Sequence, residues 1–249
     1  SGENALHSAV IDEASQFAYF GTASGAVVKI DLATLTEVDS LTLSPPNDLG
    51  SAVVDTANHM AYFASGTTVA RVDLVTFTQV GFIATSPCAV GPSAVIDPVN
   101  HFAYFGGVGS VVKIDLTTFT ETGCITLSQS AQWLISAVID SANHFAYFGT
   151  YARPARVVKV DLTTFAEVGS ITLTAPCCID LEFPVSGVID VPSHFAYFAT
   201  SGGPGGYPNF VVKIDLTTFT QADVIELPRS EVPSRPAVID PVNHYAYFG

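Results

Sequence analysis

Five histidines occupy one recurring slot: His59, His101, His144, His194 and His244, each directly after a turn Asn or Ser. Imidazole is a common metal ligand, so a ring of them raises a metal centre as the first chemistry to test. The slot argues against it. It is a turn position that needs a tolerant backbone, and repetition about an axis spreads side chains apart instead of converging them. A pH-sensitive contact is the milder chemistry open to these residues. Aspartates also recur at two turns of every unit. Each turn offers a single carboxylate and no calcium-type loop surrounds it, so turn capping is expected. The acids outside the repeat are scattered, and Asp180 and Glu182 form the one close pair. With no nucleophile elbow, phosphate loop or dinucleotide fingerprint, the sequence offers no catalytic, metal or cofactor constellation. The expectation is therefore a protein that is not an enzyme, with a channel-mouth hydrolase as the least favoured alternative.

The four cysteines are Cys88, Cys124, Cys177 and Cys178. No C-x-x-C spacing suits a zinc ribbon or covalent haem. Cys88 and Cys177 follow Pro in equivalent loops between repeats. Cys124 sits in a strand position, and a bridge between the adjacent Cys177 and Cys178 would be strained. All four are candidates for cross-links to another chain, with unpaired thiols as the equal alternative.

What must position these residues is a repeat. The Asp that closes its first segment recurs as Asp12, Asp55, Asp97, Asp140, Asp190 and Asp240, at steps of 43, 42, 43, 50 and 50 residues. Such a period marks a repeat architecture. Each unit holds four short segments rich in Val, Ile, Tyr, Phe and Thr. In the fourth unit they are 137–139, 146–148, 157–160 and 168–173. These residue types suit a pleated, half-buried surface, and turn residues separate the segments. Four antiparallel strands per unit of this length predict the blade of a β-propeller. Stacked blades bury both faces, which accounts for apolar residues at both parities of a strand. The lone cations Lys29, Arg71, Lys113, Lys159 and Lys213 fall in one strand slot, and a turn Asp is the expected partner of each.

The wording of the units resembles the YVTN family of β-propeller repeats. Ala18-Tyr-Phe-Gly-Thr22 and Ala146-Tyr-Phe-Gly-Thr150 stand in the namesake slot, and Ile30-Asp31-Leu and Ile114-Asp115-Leu in the later one. The resemblance covers nearly the whole chain and implies the propeller fold; such propellers occur in surface-layer and other extracellular proteins. The particular wording Asn-His-Phe-Ala-Tyr-Phe-Gly with Val-Lys-Ile-Asp-Leu-Thr-Thr-Phe-Thr is also similar to repeats of tubular flagellar-hair (mastigoneme) proteins of heterokont protists.

The expected fold is an all-β propeller in one domain spanning residues 1–249. Its five complete blades are 8–50, 51–92, 93–135, 136–185 and 186–235, with a partial sixth at 236–249. A partial blade exposes an unpaired strand edge, a template for another chain. Three explanations compete for the absent strands: a longer parent chain, which ranks first, closure as five blades with a tail, or strands donated by a neighbour. Residue 1 is Ser with no signal peptide before it, which suits a processed chain or a fragment.

The remaining bounds are compositional. Net charge is −14, which makes nucleic acid an unsuitable partner. Charged residues are 13%, about half the ~25% of a typical soluble domain, and no apolar run is long enough for a membrane span. The turns that repeat keep their length, whereas the second-to-third and inter-blade loops vary, most of all in the fourth and fifth units. Trp133, Tyr151, Phe183, Tyr207 and Phe210 fall in or beside those loops and are the candidate interaction surface. The function expected is an extracellular structural subunit of a surface filament, flagellar hair or layer, partnered by its own copies or other surface proteins. The alternative is a binding module that holds a protein or glycan on the variable loop face.

Overall fold

The computed structural model describes residues 5–85, 87–128, 132–175, 181, 183–201, 208–228, 230–234 and 236–249. They form strands in antiparallel sheets. The chain divides into two compact units, Ser1–Thr126 and Leu127–Gly249.

The first unit holds three four-stranded sheets. They are β1 (Leu6–Asp12), β2 (Phe17–Thr22), β3 (Ala26–Asp31) and β4 (Thr36–Thr42); β5 (Ser51–Asp55), β6 (Met60–Ser65), β7 (Thr68–Asp73) and β8 (Thr78–Ala84); and β9 (Ser93–Asp97), β10 (Phe102–Gly106), β11 (Ser110–Asp115) and β12 (Thr120–Thr126). The second unit holds two more and a two-stranded sheet. These are β13 (Leu134–Asp140), β14 (Phe145–Thr150), β15 (Arg156–Asp161) and β16 (Ala166–Thr172); β17 (Pro184–Asp190), β18 (Phe195–Thr200), β19 (Asn209–Asp215) and β20 (Thr220–Leu227); and β21 (Ala237–Asp240) with β22 (Tyr245–Phe248). Within each sheet the strands lie in chain order. Five blades and a partial sixth are thus present, as the repeat predicts.

Two turns shape each blade. In the first, the chain doubles back through Asp-x-x-Asn/Ser-His, with the histidines at φ 52–59°. In the second, Asp-Leu-Thr-Thr-Phe, the aspartate Oδ1 accepts two backbone N–H groups. Asp73, for example, takes those of Val75 and Thr76 at 2.9 Å each. The turn-capping role is therefore met. Phe77, Phe119, Phe165 and Phe219 lie at φ 48–52°, also left-handed. A bulge follows, as the register shifts at the cation of every third strand: Lys29, Arg71, Lys113, Lys159 and Lys213. A bulge increases local twist, which suits a blade.

The core lies between sheets. The first and second blades share a cluster of Val10, Tyr19, Val27, Leu43 and Leu49 with Ala61, Phe63, Ala70, Val72, Leu74 and Phe77. The second and third repeat it: Val53, Tyr62, Ala64 and Val69 meet Ala103, Phe105, Val112, Ile114, Leu116 and Phe119. In the second unit, Val138, Tyr147 and Val157 meet Ala196, Phe198, Val212, Ile214, Leu216 and Phe219. In these three pairs the earlier blade presents a Tyr-Val row, and the next blade covers it with Ala, Phe, an aliphatic pair, Leu and Phe. Serines tie neighbours together: Ser8 Oγ donates to the Leu49 carbonyl at 2.8 Å, Ser51 to Gly91 at 2.7 Å and Ser136 to Pro184 at 2.6 Å.

Candidate functional site

The chemistry of the repeat is concentrated where one blade seats on the next. Tyr19 packs on Phe77 with ring centroids 5.8 Å apart, Tyr62 on Phe119 at 5.8 Å and Tyr147 on Phe219 at 5.7 Å. The cation beside each tyrosine lies over rings. Lys29 Nζ is 4.0 Å from the Phe17 centroid and 5.5 Å from that of Phe77; Lys159 Nζ is 3.8 Å from Phe145 and 5.5 Å from Phe219. This corrects the expected ion pair with a turn Asp. Burial lowers the Lys159 pKa, and the charges of Asp140 and Asp161 only partly restore it. The aromatic cage stands in for a carboxylate because the cation enters the sheet interface stem first. Burial and the nearby Asp55 push the Tyr62 phenol up to about 12.

The histidines divide by the turn of the preceding blade that each one faces. Where the turn carries Asn, its Nδ2 donates to the buried aspartate of the same turn: Asn58 to Asp55, Asn100 to Asp97 and Asn143 to Asp140, each at 2.8 Å. The turns of Asp12 and Asp190 carry Ser15 and Ser193 instead. There the next blade's histidine approaches. His244 Nδ1 lies 2.7 Å from Asp190 Oδ2, and His59 Nδ1 lies 3.6 Å from Asp12 Oδ2. Burial raises the Asp190 pKa, but hydrogen bonds from His244 and Ser193 outweigh it and hold the carboxyl below its ordinary value. His244 thus staples the partial blade to the fifth, whereas His59 stops short of hydrogen-bond distance from Asp12.

The partial blade breaks the pattern. Val238, Tyr245 and Tyr247 are 63%, 61% and 57% exposed, whereas the tyrosines equivalent to Tyr247 in the first four blades are at most 1% exposed. No third strand pairs with β22 among the described residues. Behind it, a groove of about 630 Å³ opens against the fifth blade, lined by Tyr197, Val211, Ile225, Leu227, the 230–233 loop and Ala246, Phe248 and Gly249 of the partial blade.

The loop aromatics separate into three groups. Tyr151 and Phe183 stack with centroids 3.7 Å apart at 15°, and Tyr151 N–H donates to the Trp133 carbonyl at 2.7 Å. Trp133 and Tyr151 are about half exposed. Phe210 is a correction: it is the second residue of β19, opposite Thr200, sits in the core between the fourth and fifth blades and is 2% exposed, so it offers no surface. Tyr207 lies outside the described residues, as do Cys177, Cys178, Asp180 and Glu182. Cys88 and Cys124 also need correction as cross-links to another chain. They are bonded to each other, with Cα atoms 6.4 Å apart, joining the loop between β8 and β9 to β12 of the third blade. Their spacing carried no signal for this, because the bond depends on a loop folding back over the third blade.

No family model matches the chain, and no curated protein matches it. The resemblance to YVTN and flagellar-hair repeats therefore rests on the quoted wording alone. Among solved structures, a chain of hydrazine synthase from Kuenenia stuttgartiensis is similar over 100% of this chain and 74% of its own, with a TM-score of 0.83 at 13% identity. The fold is a β-propeller. At that identity the likeness concerns architecture, and the propeller is an architecture open to binding and assembly roles. The expectation that the chain is not an enzyme is corrected here. A structure of this fold belongs to a synthase, so uniform repetition is no ground for excluding catalysis. No helix among the described residues is long and apolar enough to cross a membrane.

Proposed function

We propose that the chain is an extracellular structural subunit that assembles at a cell surface, in a filament, flagellar hair or layer. The observation that carries this reading is the exposed apolar face of β21–β22, where Val238, Tyr245 and Tyr247 lie together. Aromatic and aliphatic side chains grouped on one exposed sheet face are the kind of patch that anchors contacts between proteins. The Cys88–Cys124 bond suits an oxidising compartment, and the quoted repeat wording is similar to that of surface proteins. Sedimentation over a range of concentrations, with electron microscopy of the same samples, tests the reading. Concentration-dependent assemblies are expected, and a strictly monomeric particle at high concentration overturns it.

A second reading is favoured by the stack of Tyr151 on Phe183 beside exposed Trp133. A flat aromatic pair of this kind suits capture of a glycan or protein loop. Replacing Trp133 and Tyr151 with Ala is expected to abolish retention on a glycan or surface-protein array with Tm unchanged; undiminished retention removes this reading.

A further inference from the structure

The fourth strands of the complete blades differ in one respect that their packing does not require. The opening strands lie together, β1 with β5, β5 with β9 and β13 with β17, so the fourth strand of each sheet forms its far edge. Such an edge presents unpaired backbone groups, and charged side chains are a common guard against a passing strand. Four of the five carry carboxylates and no cation: Glu37 and Asp39 on β4, Glu121 on β12, Glu167 on β16, and Asp223 and Glu226 on β20. The exception is β8, Thr78-Gln-Val-Gly-Phe-Ile-Ala84, which has no charge. Gln79 keeps the clasp on the preceding blade, accepting Ser44 N–H at 2.7 Å and donating to the Ser44 carbonyl at 2.8 Å. It does so without the charge that Glu37, Glu121 and Glu167 bring to the same slot. Phe82 is the only aromatic in the five fourth strands, and it stands where the first and fourth blades carry Ser40 and Ser170. It is 55% exposed, and Val80 is 42% exposed. Beyond the bulge at Val80, pairing with β7 is regular from Gly81 to Ala84.

We infer that β8 is a docking edge for an extended segment of another protein, apolar at alternate positions and basic at both ends. The segment adds antiparallel to Gly81–Ala84 as a fifth strand of the second blade. Main-chain hydrogen bonds give it affinity, and its apolar side chains pack beside Phe82. The basic ends answer what stands on either side of β8. The first blade, clasped through Gln79, presents Glu37 and Asp39 exposed on β4, and the third, whose Phe119 ring abuts Gly81, carries Glu121 on β12. Opposite charges across such a contact fix the partner, and like charges reject the wrong one. A second copy of this chain does not fit. Its fourth strands are neutral or acidic, its lysines lie over rings within the sheets, and each copy has a net charge of −14. The edge is separate from the face of β21–β22, so either contact can fail without the other.

The test uses the 249-residue chain and a fluorescent peptide, Lys-Lys-Val-Thr-Val-Thr-Val-Lys-Lys, followed by anisotropy. Saturable binding is expected, weaker by at least about tenfold when every Lys of the peptide is Glu. Pro in place of the central Val and the Thr before it removes a donor from each edge of the strand and is expected to abolish binding. A general attraction of basic peptide to acidic protein survives that change. In the protein, Phe82→Ser restores the residue of the first and fourth blades, and it is expected to weaken binding at least about tenfold with Tm unchanged. Combining Glu37→Gln, Asp39→Asn and Glu121→Gln is expected to close the gap between the Lys and Glu peptides. Hydrogen exchange is expected to slow within Gly81–Ala84, and Tyr247→Lys to leave peptide binding as it was. The proposal is overturned if the Lys peptide does not bind, if the Pro peptide or the Phe82→Ser chain binds equally well, or if protection falls on another strand. It is also overturned if sedimentation shows self-association that Phe82→Ser dissolves, since a second copy then holds the edge.

Discussion

Phe119 and Leu35 stand in the same turn slot, both left-handed, at φ 52° and 55°. That conformation costs roughly 1–2 kcal/mol for a residue with a Cβ. Phe119 offsets it by capping Tyr62 from an 8% exposed position, whereas Leu35 is 81% exposed. Replacing each by Gly separates the two effects. Phe119→Gly relieves the backbone but removes a buried ring, for a net loss of about 2–4 kcal/mol. Leu35→Gly loses little contact and is expected to range from neutral to a gain of about 1 kcal/mol. Urea unfolding of both variants reads the difference, and an equal loss at the two sites contradicts the capping role. The turn aspartates and the aromatic slots were legible in the sequence as repeating words. The meeting of the lysines with rings was not, although the recurrence of Tyr in one unit and Phe in the next carried the signal.

At the scale of elements, the exchange of Asn for Ser decides how a blade joins its neighbour. Asp190 lacks the Asn amide that satisfies Asp140 and recruits His244 from the partial blade. Its folded pKa is lowered, so the contact contributes stability above the ordinary value of 3.8 and loses it as pH falls through the lower folded value. Asp190→Asn is expected to cost about 1–3 kcal/mol at neutral pH, because a buried acceptor pair is broken. It should also flatten the fall in Tm below pH 3.8. A thermal melt series across that window checks both. An unchanged acid slope contradicts the assignment. The strands within each unit were legible, since alternation and turn residues fix them locally. The β-bulge at each third-strand cation was not legible, because it arises from pairing with the fourth strand.

At the scale of the molecule, β21 and β22 present Val238, Tyr245 and Tyr247 together on an exposed face. Tyr247→Lys places a charge on that face without touching the groove behind. It is expected to leave the Tm within about 0.5 kcal/mol of equivalent stability, as surface changes do, and to abolish concentration-dependent assembly in sedimentation. Assembly that survives this change moves the contact to another surface.

By itself the sequence determined the strand count per unit, the turn chemistry and the propeller, because each depends on residues close in the chain and on a pattern written several times over. Tertiary structure alone decided which candidates are surface and which are core, that Cys88 finds Cys124, and that lysines end over rings. Those outcomes belong to neighbouring blades pressed face to face, and packing between segments some forty residues apart leaves no local mark on either one.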